Sequence, residues 1–326
     1  MYAIIASEAG DPSVLQWQEV PTPDPGPGEV RIAVAATAVN RADLLQRQGF
    51  YPPPPGASDI IGLECSGTID AIGAGVTSRA VGDEVCALLT GGGYAEHVVV
   101  PIGQLMSVPS SVSLTDAAAL PEVACTVWSN LVMTAHLEQG QWLLIHGGGS
   151  GIGTMAIQVA KALGARIAVT AGSPTKLDAC ADLGAEMLIN YSTEDFVEVM
   201  MEATGGRGAN VILDNMGAVY LKGNVEALAR DGRLVVIGMQ GGVKAELNLN
   251  SLLRKNGTIH AASLRGRPEA QKAEICRQVE QHVWPWIHAG LIKPVIGARL
   301  AMREAAQAHS LLEAGSVFGK IVLTNG

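Results

Sequence analysis

The stretch Leu143-Leu144-Ile145-His146-Gly147-Gly148-Gly149-Ser150-Gly151-Ile152-Gly153 is an apolar run that stops on a glycine cluster. The residues that follow, Thr154 to Leu163, place Met155, Ile157, Val159, Ala160 and Leu163 at the spacing of an amphipathic helix. Strand, glycine turn and helix in that order form the context of a phosphate-binding turn. Glycines let backbone N–H groups approach a pyrophosphate, and the helix N-terminus adds its positive dipole end. Written against G-x-G-x-x-G, the turn is Gly148-x-Ser150-x-x-Gly153, with a serine in the middle position and Gly151 and Ile152 leading into the helix.

The rhythm of strands and helices on either side of this turn predicts two domains. Tyr2–Ser7, Leu15–Val20, Glu29–Ala38, Gly67–Ile72, Glu84–Leu89 and Tyr94–Val100 are short apolar or alternating runs separated by proline- and glycine-rich turns. Residues 1–122 therefore read as mostly β. Within them, Asn40 to Gln48 has helical character and runs into Gly49-Phe50-Tyr51-Pro52-Pro53-Pro54-Pro55, where proline excludes regular structure and puts Tyr51 on a stiff loop. After a helix over Thr126 to Ala135, residues 123–264 alternate between apolar strands and helices. The strands are Trp142–His146, Arg166–Ala171, Met187–Asn190, Val211–Asp214, Arg233–Gly238 and Thr258–Leu264. Strands that are apolar throughout fit a parallel sheet covered on both faces, so the expected fold is α/β, a Rossmann-type doubly wound sheet. A helix over Glu269 to Ala289, interrupted near Pro285, opens residues 265–326, which end on a strand at Lys320–Thr324 and are expected to return to the first domain.

Size and charge narrow the function classes. A chain of 326 residues suggests about two domains. With 48% hydrophobic and 16% charged residues it can bury sizeable cores. A net charge of -9 argues against nucleic acid or an anionic membrane as the main partner. No apolar run approaches the roughly 20 residues of a membrane span, and Met1-Tyr2-Ala3-Ile4-Ile5 lacks a secretory n-region. Cys65, Cys86, Cys125, Cys180 and Cys276 form no CxxC pair, which fits reduced thiols and a cytoplasmic location.

The end of the second βα strand bears on the cofactor. An NAD site usually carries Asp or Glu there, on the ribose 2′-OH. Here Gly172-Ser173-Pro174-Thr175-Lys176 follows Ala171, and no acid stands before Asp178 inside the helix. Gly172 leaves room for a 2′-phosphate, Ser173 can donate to it, Lys176 adds charge, and Tyr191 can donate from the neighbouring strand. This set favours NADPH, although Ser173 also reads as a helix cap and Lys176 as a solvated lysine. No His or Cys cluster has metal-ligand spacing, so no metal is expected. His146, at the ligand end of its strand, reads as structural.

Five motifs occur in order: Asn40-Arg41-Ala42-Asp43, Gly62-Leu63-Glu64-Cys65-Ser66-Gly67, Val81-Gly82-Asp83-Glu84-Val85, Gly92-Gly93-Tyr94-Ala95-Glu96 and the His146–Gly153 turn. With them the chain resembles the quinone oxidoreductases of the zinc-free medium-chain dehydrogenase/reductase superfamily, relatives of zeta-crystallin. Within that family it resembles most the tumour-suppressor-inducible branch. The resemblance covers essentially the whole chain. It implies a mostly β GroES-like catalytic domain beside the Rossmann domain, and homodimers formed through an edge strand matching Thr258–Leu264. In zinc-dependent members a cysteine stands at the position of Asn40 and a histidine at that of Leu63, so these departures point to a metal-free enzyme.

The resemblance also implies site roles. Gly148, Ser150, Gly151, Ile152 and Gly153 hold the pyrophosphate. Ser173, Lys176 and Tyr191 surround the 2′-phosphate. Asn40, Tyr51 and Thr126 lie near the nicotinamide, Ile237, Gly238 and Met239 run beneath the cofactor, and Ser263, Leu264, Arg265 and Lys320 close over it. The implied reaction is hydride transfer from NADPH to a quinone, with Asn40 and Tyr51 as candidate donors to the developing oxyanion. An enoyl or 2-alkenal reductase is the alternative within the same chemistry, and a non-catalytic NADPH-binding sensor or structural protein the alternative outside it.

Overall fold

A computed structural model describes residues 1–325 of the chain. Alternating apolar residues build the opening strands β1 (Tyr2–Ala6), β2 (Leu15–Glu19) and β3 (Glu29–Val39), and α1 (Arg41–Arg47) follows directly. β4 (Glu64–Ile72), β5 (Glu84–Leu88), β6 (His97–Pro101) and β7 (Leu105–Ser107) continue the β region. Two short helices, α2 (Leu114–Ala117) and α3 (Pro121–Val127), then lead out of it.

The βα rhythm begins at β8 (Trp142–His146). It continues through α4 (Gly151–Ala162), β9 (Arg166–Ala171), α5 (Pro174–Leu183), β10 (Met187–Asn190) and α6 (Phe196–Ala203). It closes with β11 (Ala209–Asp214), α7 (Leu221–Ala227), β12 (Leu228–Val236), α8 (Leu249–Arg254) and β13 (Thr258–Ala261). The return segment holds α9 (Glu269–His282), α10 (Trp284–His288), β14 (Ile296–Ala301), α11 (Ala305–Glu313) and β15 (Lys320–Thr324).

The chain divides into two units, Met1–Cys125 with Leu264–Gly326, and Thr126–Ser263. The second is a six-stranded sheet in the order β10-β9-β8-β11-β12-β13, parallel at every pairing. That is the doubly wound order with its topological switch point between β8 and β11. The interiors of β8 and β11 are almost wholly buried, which accounts for their unbroken apolar character. In the first unit, β15 pairs antiparallel with β3 and parallel with β14, which adds two strands to the sheet from the C-terminal end of the chain.

Three expectations change in detail. The helix over Thr126 to Ala135 is α-helical only to Val127; Trp128–Thr134 is a π-helix. Asn130 Nδ2 donates to Thr126 O at 2.8 Å and Ser129 Oγ reaches the same carbonyl at 3.3 Å, so side chains take an acceptor that an α-helical ladder would use. The tail is richer than a single strand, since β14 and α11 precede β15. The break near Pro285 falls at Val283, between α9 and α10.

Strand β3 crosses β4 with two register shifts, and Gly67 lies opposite Val34. A Cβ on Gly67 would stand 2.1 Å from the carbonyl oxygen of Ala33. Gly67→Ala is therefore expected to lower stability by about 1–3 kcal/mol through overpacking. A urea midpoint unchanged from the parent protein would show that the crossing has slack.

Candidate functional site

In the second unit the glycine turn is set by its own hydrogen bonds. Gly147 adopts φ +73°, its N–H meets Thr170 Oγ1 at 3.3 Å, and Gly148 N–H donates to Thr170 O at 2.9 Å. Ser150 caps α4: its Oγ accepts from Gly153 N–H at 3.0 Å and donates to Gly147 O at 2.8 Å. The serine in the middle position is thus the helix cap, which leaves the N–H groups of Gly151 and Ile152 at the open end of the helix for an anion. A Cβ on Gly153 would lie 2.4 Å from Gly147 O and 2.5 Å from Gly148 O, so only glycine fits.

At the end of β9, Ser173 caps α5 by accepting from Lys176 N–H at 3.4 Å. Tyr191 follows β10 and is half exposed. Its hydroxyl lies where a Cβ on Gly172 would be, 2.4 Å from that point. The Tyr191 hydroxyl thus takes the space expected to stay open at Gly172, beside the Ser173 cap, and no carboxylate stands at the strand end. Asp214, at the end of β11, is held by the N–H groups of Met216 and Gly217 at 2.7 and 3.1 Å. Burial raises its carboxyl to about 6.

Asn215, which the sequence motifs pass over, follows at the switch point. Its Oδ1 is buried without a hydrogen-bond partner, and its Nδ2 lies 2.8 Å from the Cβ position of Gly147. A buried acceptor beside bare glycine backbone is what a polar ligand group requires. The capped turn, the acid-free pocket and this acceptor all fit a dinucleotide with a 2′-phosphate. Ile237 donates its N–H to Asp214 O, and Met239 beyond Gly238 is exposed. Thr126 is buried, with its carbonyl engaged by Asn130. Ser263 and Leu264 lie on either side of the boundary between the units.

His146 is structural. Its Nε2–H donates to Asn224 Oδ1 at 2.7 Å, Nδ1 stands 3.2 Å from Thr170 Oγ1, and Phe196 and Tyr220 meet the ring edge-to-face. Burial lowers its pKa to about 4.

In the first unit the sheet register gathers a polar cluster. Ile321 pairs with Val39, and Thr37 pairs with Cys65, so Lys320, Asn40 and Glu64 meet at one end of β15, β3 and β4. Lys320 Nζ donates to Glu64 Oε1 at 2.7 Å, Asn40 Oδ1 at 2.6 Å and Val39 O at 3.1 Å. Asn40 Nδ2 donates to Glu64 Oε1 at 2.9 Å and Ala38 O at 3.2 Å. Glu122 N–H donates to Glu64 Oε2 at 2.9 Å.

All three ammonium hydrogens and both amide hydrogens are committed. This corrects two expectations. Asn40 has no hydrogen left to offer a substrate oxygen, and Lys320 is the counter-charge of Glu64 rather than a group reaching over a cofactor. Asn40 N–H also donates to Asp43 Oδ2 at 2.7 Å, and Tyr94 OH donates to the same oxygen at 3.2 Å. Burial, the largest influence, raises Asp43 to about 7.

Among the described residues no three His, Cys, Asp or Glu side chains are placed to hold a metal. The ammonium of Lys320 sits on the Glu64 carboxylate, so this donor set does not fit a zinc ion. All five cysteines are buried. Burial raises the thiols of Cys65, Cys86, Cys125 and Cys180, which disfavours the thiolate form of each.

Tyr51 lies under the guanidinium of Arg265, with the carbon at 5.3 Å from the ring centroid, and Arg265 Nη1 donates to Tyr51 O at 3.3 Å. The proline loop is thus tied at its aromatic end.

Comparison with known proteins agrees with both units. Residues 26–110 match the alcohol dehydrogenase GroES-like domain, and residues 151–279 match the zinc-binding dehydrogenase family. The quinone oxidoreductase of Salmonella typhimurium is 32% identical over 321 residues, covering 96% of each protein. A 2-haloacrylate reductase from Burkholderia is 30% identical over 98% of each. The chain also spans 13% of the length of the mycobacterial phenolphthiocerol/phthiocerol polyketide synthase subunits C, which it matches at 30% identity. The structure of Escherichia coli quinone oxidoreductase complexed with NADPH superposes with a TM-score of 0.91 at 29% identity, over 99% of this chain and 100% of that one.

Two outcomes follow from the buried groups. Lys320→Met leaves the Glu64 carboxylate buried without a counter-charge and is expected to cost about 3–5 kcal/mol, with part recovered in the Lys320→Met/Glu64→Gln double variant. Additive losses in urea unfolding would contradict the pairing. For His146, the folded pKa of about 4 lies below the ordinary 6.5, so the unfolded chain binds more protons between these values. The stability that this neutral histidine provides is fully present above pH 6.5 and declines as pH falls towards 4. His146→Phe should flatten that part of the acid limb; an unchanged limb would contradict the assignment.

Proposed function

The chain belongs to the quinone oxidoreductases of the medium-chain dehydrogenase/reductase superfamily, and from that premise we propose that it reduces quinones and related conjugated carbonyl compounds with NADPH, without a metal. The observation that supports this reading is the acid-free end of β9, where the Tyr191 hydroxyl meets Gly172 beside the Ser173 cap.

Bound NADPH supplies the hydride. The N–H groups of Gly151 and Ile152 would hold its pyrophosphate, while Ser173, Lys176 and Tyr191 would take the 2′-phosphate. Asn215 Oδ1 accepts from a ligand N–H or hydroxyl. Thr126, Ile237, Gly238, Met239, Ser263 and Leu264 remain proposed cofactor contacts. In the first unit, Lys320 and Glu64 hold Asn40 fixed and make it a positioning residue. Tyr51, stacked on Arg265, is the remaining candidate donor to the substrate oxygen, where negative charge collects. A quinone leaves as a stabilised anion, so the final proton comes from solvent and Tyr51→Phe lowers kcat only modestly. Most of the acceleration then comes from positioning.

A homodimer completes the proposal. β13 is an edge strand that pairs only with β12 among the described residues, and Val243, Leu249 and Leu253 nearby are exposed.

Steady-state NADPH and NADH oxidation with a small panel of quinones and enones tests the reading. NADPH is expected to be preferred, and Lys176→Ala to reduce that preference by about tenfold or more, the worth of one charge-assisted hydrogen bond. Equal use of NADH by the parent protein, or no oxidation with any acceptor, would overturn it.

A further inference from the structure

The parallel sheet of the second unit has two ends, and the glycine turn occupies only one of them. Ligands of doubly wound sheets sit at the C-terminal ends of the strands, where that turn lies. A cavity of about 420 Å³ opens at the opposite edge, where β8, β9 and β11 begin. Its volume is in the range of small-molecule sites. All of its lining belongs to the second unit. Strand β8 has five residues, which separates the cavity from the turn by about 13 Å at about 3.3 Å per residue. A group bound there is therefore out of reach of the pyrophosphate turn.

The lining holds two guanidiniums, Arg166 and Arg207, and no carboxylate. The chain as a whole carries a net charge of -9, so this local balance runs against the global one. Arg166 lies over the Trp142 ring with its guanidinium carbon 4.1 Å from the centroid. Its Nε and Nη2 donate to Glu186 Oε2 at 3.0 and 2.9 Å. The stack and the ion pair fix the plane of the guanidinium and leave Nη1 uncommitted. Arg207 is exposed and its Nε donates to Thr204 O at 3.0 Å. Among the described residues its two Nη groups have no partner, and it forms no ion pair.

The amides of the lining are not equivalent. Asn210 Oδ1 accepts from Trp142 N–H at 2.9 Å, so the NH2 is the end left for a ligand. Gln141 is spent at both ends on Glu138: its Oε1 accepts from the backbone N–H at 3.1 Å, and its Nε2 donates to Oε2 at 3.3 Å. The unspent capacity of Arg166, Arg207 and Asn210 is thus all N–H. It exceeds what the roughly four lone-pair sites of a carboxylate accept. A phosphate monoester offers three acceptor oxygens and about two negative charges. Trp142 and Ala229, both buried, give the cavity an apolar floor.

We propose that this cavity is a second ligand site, separate from the dinucleotide site, that binds a small phosphate monoester with a flat or apolar body. Arg207 and the Asn210 amide hold the phosphate oxygens, the Nη1 group of Arg166 adds a second charge-assisted donor, and Trp142 and Ala229 face the body. The arginines are solvent-accessible, so the affinity falls as salt rises.

Calorimetric titration of phenyl phosphate into the full chain at low ionic strength tests this, with benzoate and inorganic phosphate as comparisons. One phenyl phosphate is expected per chain in the presence of saturating NADP⁺. Benzoate, which lacks the third oxygen and second charge, should bind about tenfold or more weakly, and inorganic phosphate, which lacks the body, severalfold more weakly. Arg207→Gln should weaken phenyl phosphate by about tenfold or more, the worth of one charge-assisted hydrogen bond, and Arg207→Lys by less. Asn210→Asp keeps the acceptor for Trp142 N–H and places a carboxylate where the amide donates, so it should abolish binding.

Absence of phenyl phosphate binding would overturn the proposal, as would binding that Arg207→Gln leaves unchanged. Displacement by NADP⁺, or loss of binding in Lys176→Ala with Arg207→Gln unaffected, would overturn it by assigning the phosphate to the dinucleotide site. Benzoate that binds as tightly as phenyl phosphate would overturn the phosphate assignment. The titration needs no turnover, so failure of the hydride-transfer reading and failure of this one are read separately. Should Asn210→Asp fail to fold, Arg207→Gln and Arg207→Glu, at an exposed position, carry the comparison.

Discussion

A carboxylate with no access to water must be answered by charge and hydrogen bonds, and Glu64 sets that condition for the first unit. It is fully buried at the start of β4, and its partners come from three places: Asn40 just after β3, the backbone of Glu122 in the first turn of α3, and Lys320 on the last strand. Lys320 is 256 residues away in sequence. It reaches Glu64 only because β15 docks antiparallel on β3, with Ile321 opposite Val39. The C-terminal strand therefore delivers the counter-charge as well as closing the sheet. With that charge in place the Glu64 carboxylate does not fit a divalent cation.

The second unit solves a simpler problem. A parallel sheet whose order reverses between β8 and β11 leaves a crevice at the strand ends, and the first turn fills it with backbone rather than side chains. Ser150 closes the helix without occupying the ligand side, and Gly153 permits the close approach of the helix to the turn. The bare Gly172 lets the Tyr191 hydroxyl come in from the neighbouring strand. The sequence places Ser150 on the pyrophosphate and leaves Gly172 open for a phosphate; the structure makes Ser150 the helix cap and puts the Tyr191 hydroxyl at Gly172.

That contrast explains what was legible. The βα alternation, the glycine turn, the missing acid after Ala171 and the break near Pro285 rest on neighbours within a few residues, so periodicity and turn chemistry reveal them. The Lys320–Glu64–Asn40 cluster rests on register between strands 256 to 280 residues apart, which no local pattern encodes. Asn40 looks like a free donor until its two hydrogens are traced to Glu64 and Ala38. Asn215 escapes for the same reason, since an orphaned polar atom is visible only when every possible partner has been placed. The π-helix at Trp128–Thr134 depends on a side-chain competition at Thr126 that helical spacing does not register. Strand β14 and helix α11 were hidden by alanine-rich sequence that carries no clear period.

Lys320 supplies the positive charge at Glu64, and we propose that hydride transfer from NADPH needs no metal. The most direct measurement is the rate of NADPH oxidation with a simple quinone, before and after exhaustive chelation, with metal content determined on the same samples. The account predicts metal-free protein and an unchanged rate. Activity lost on chelation and restored by added zinc would contradict it.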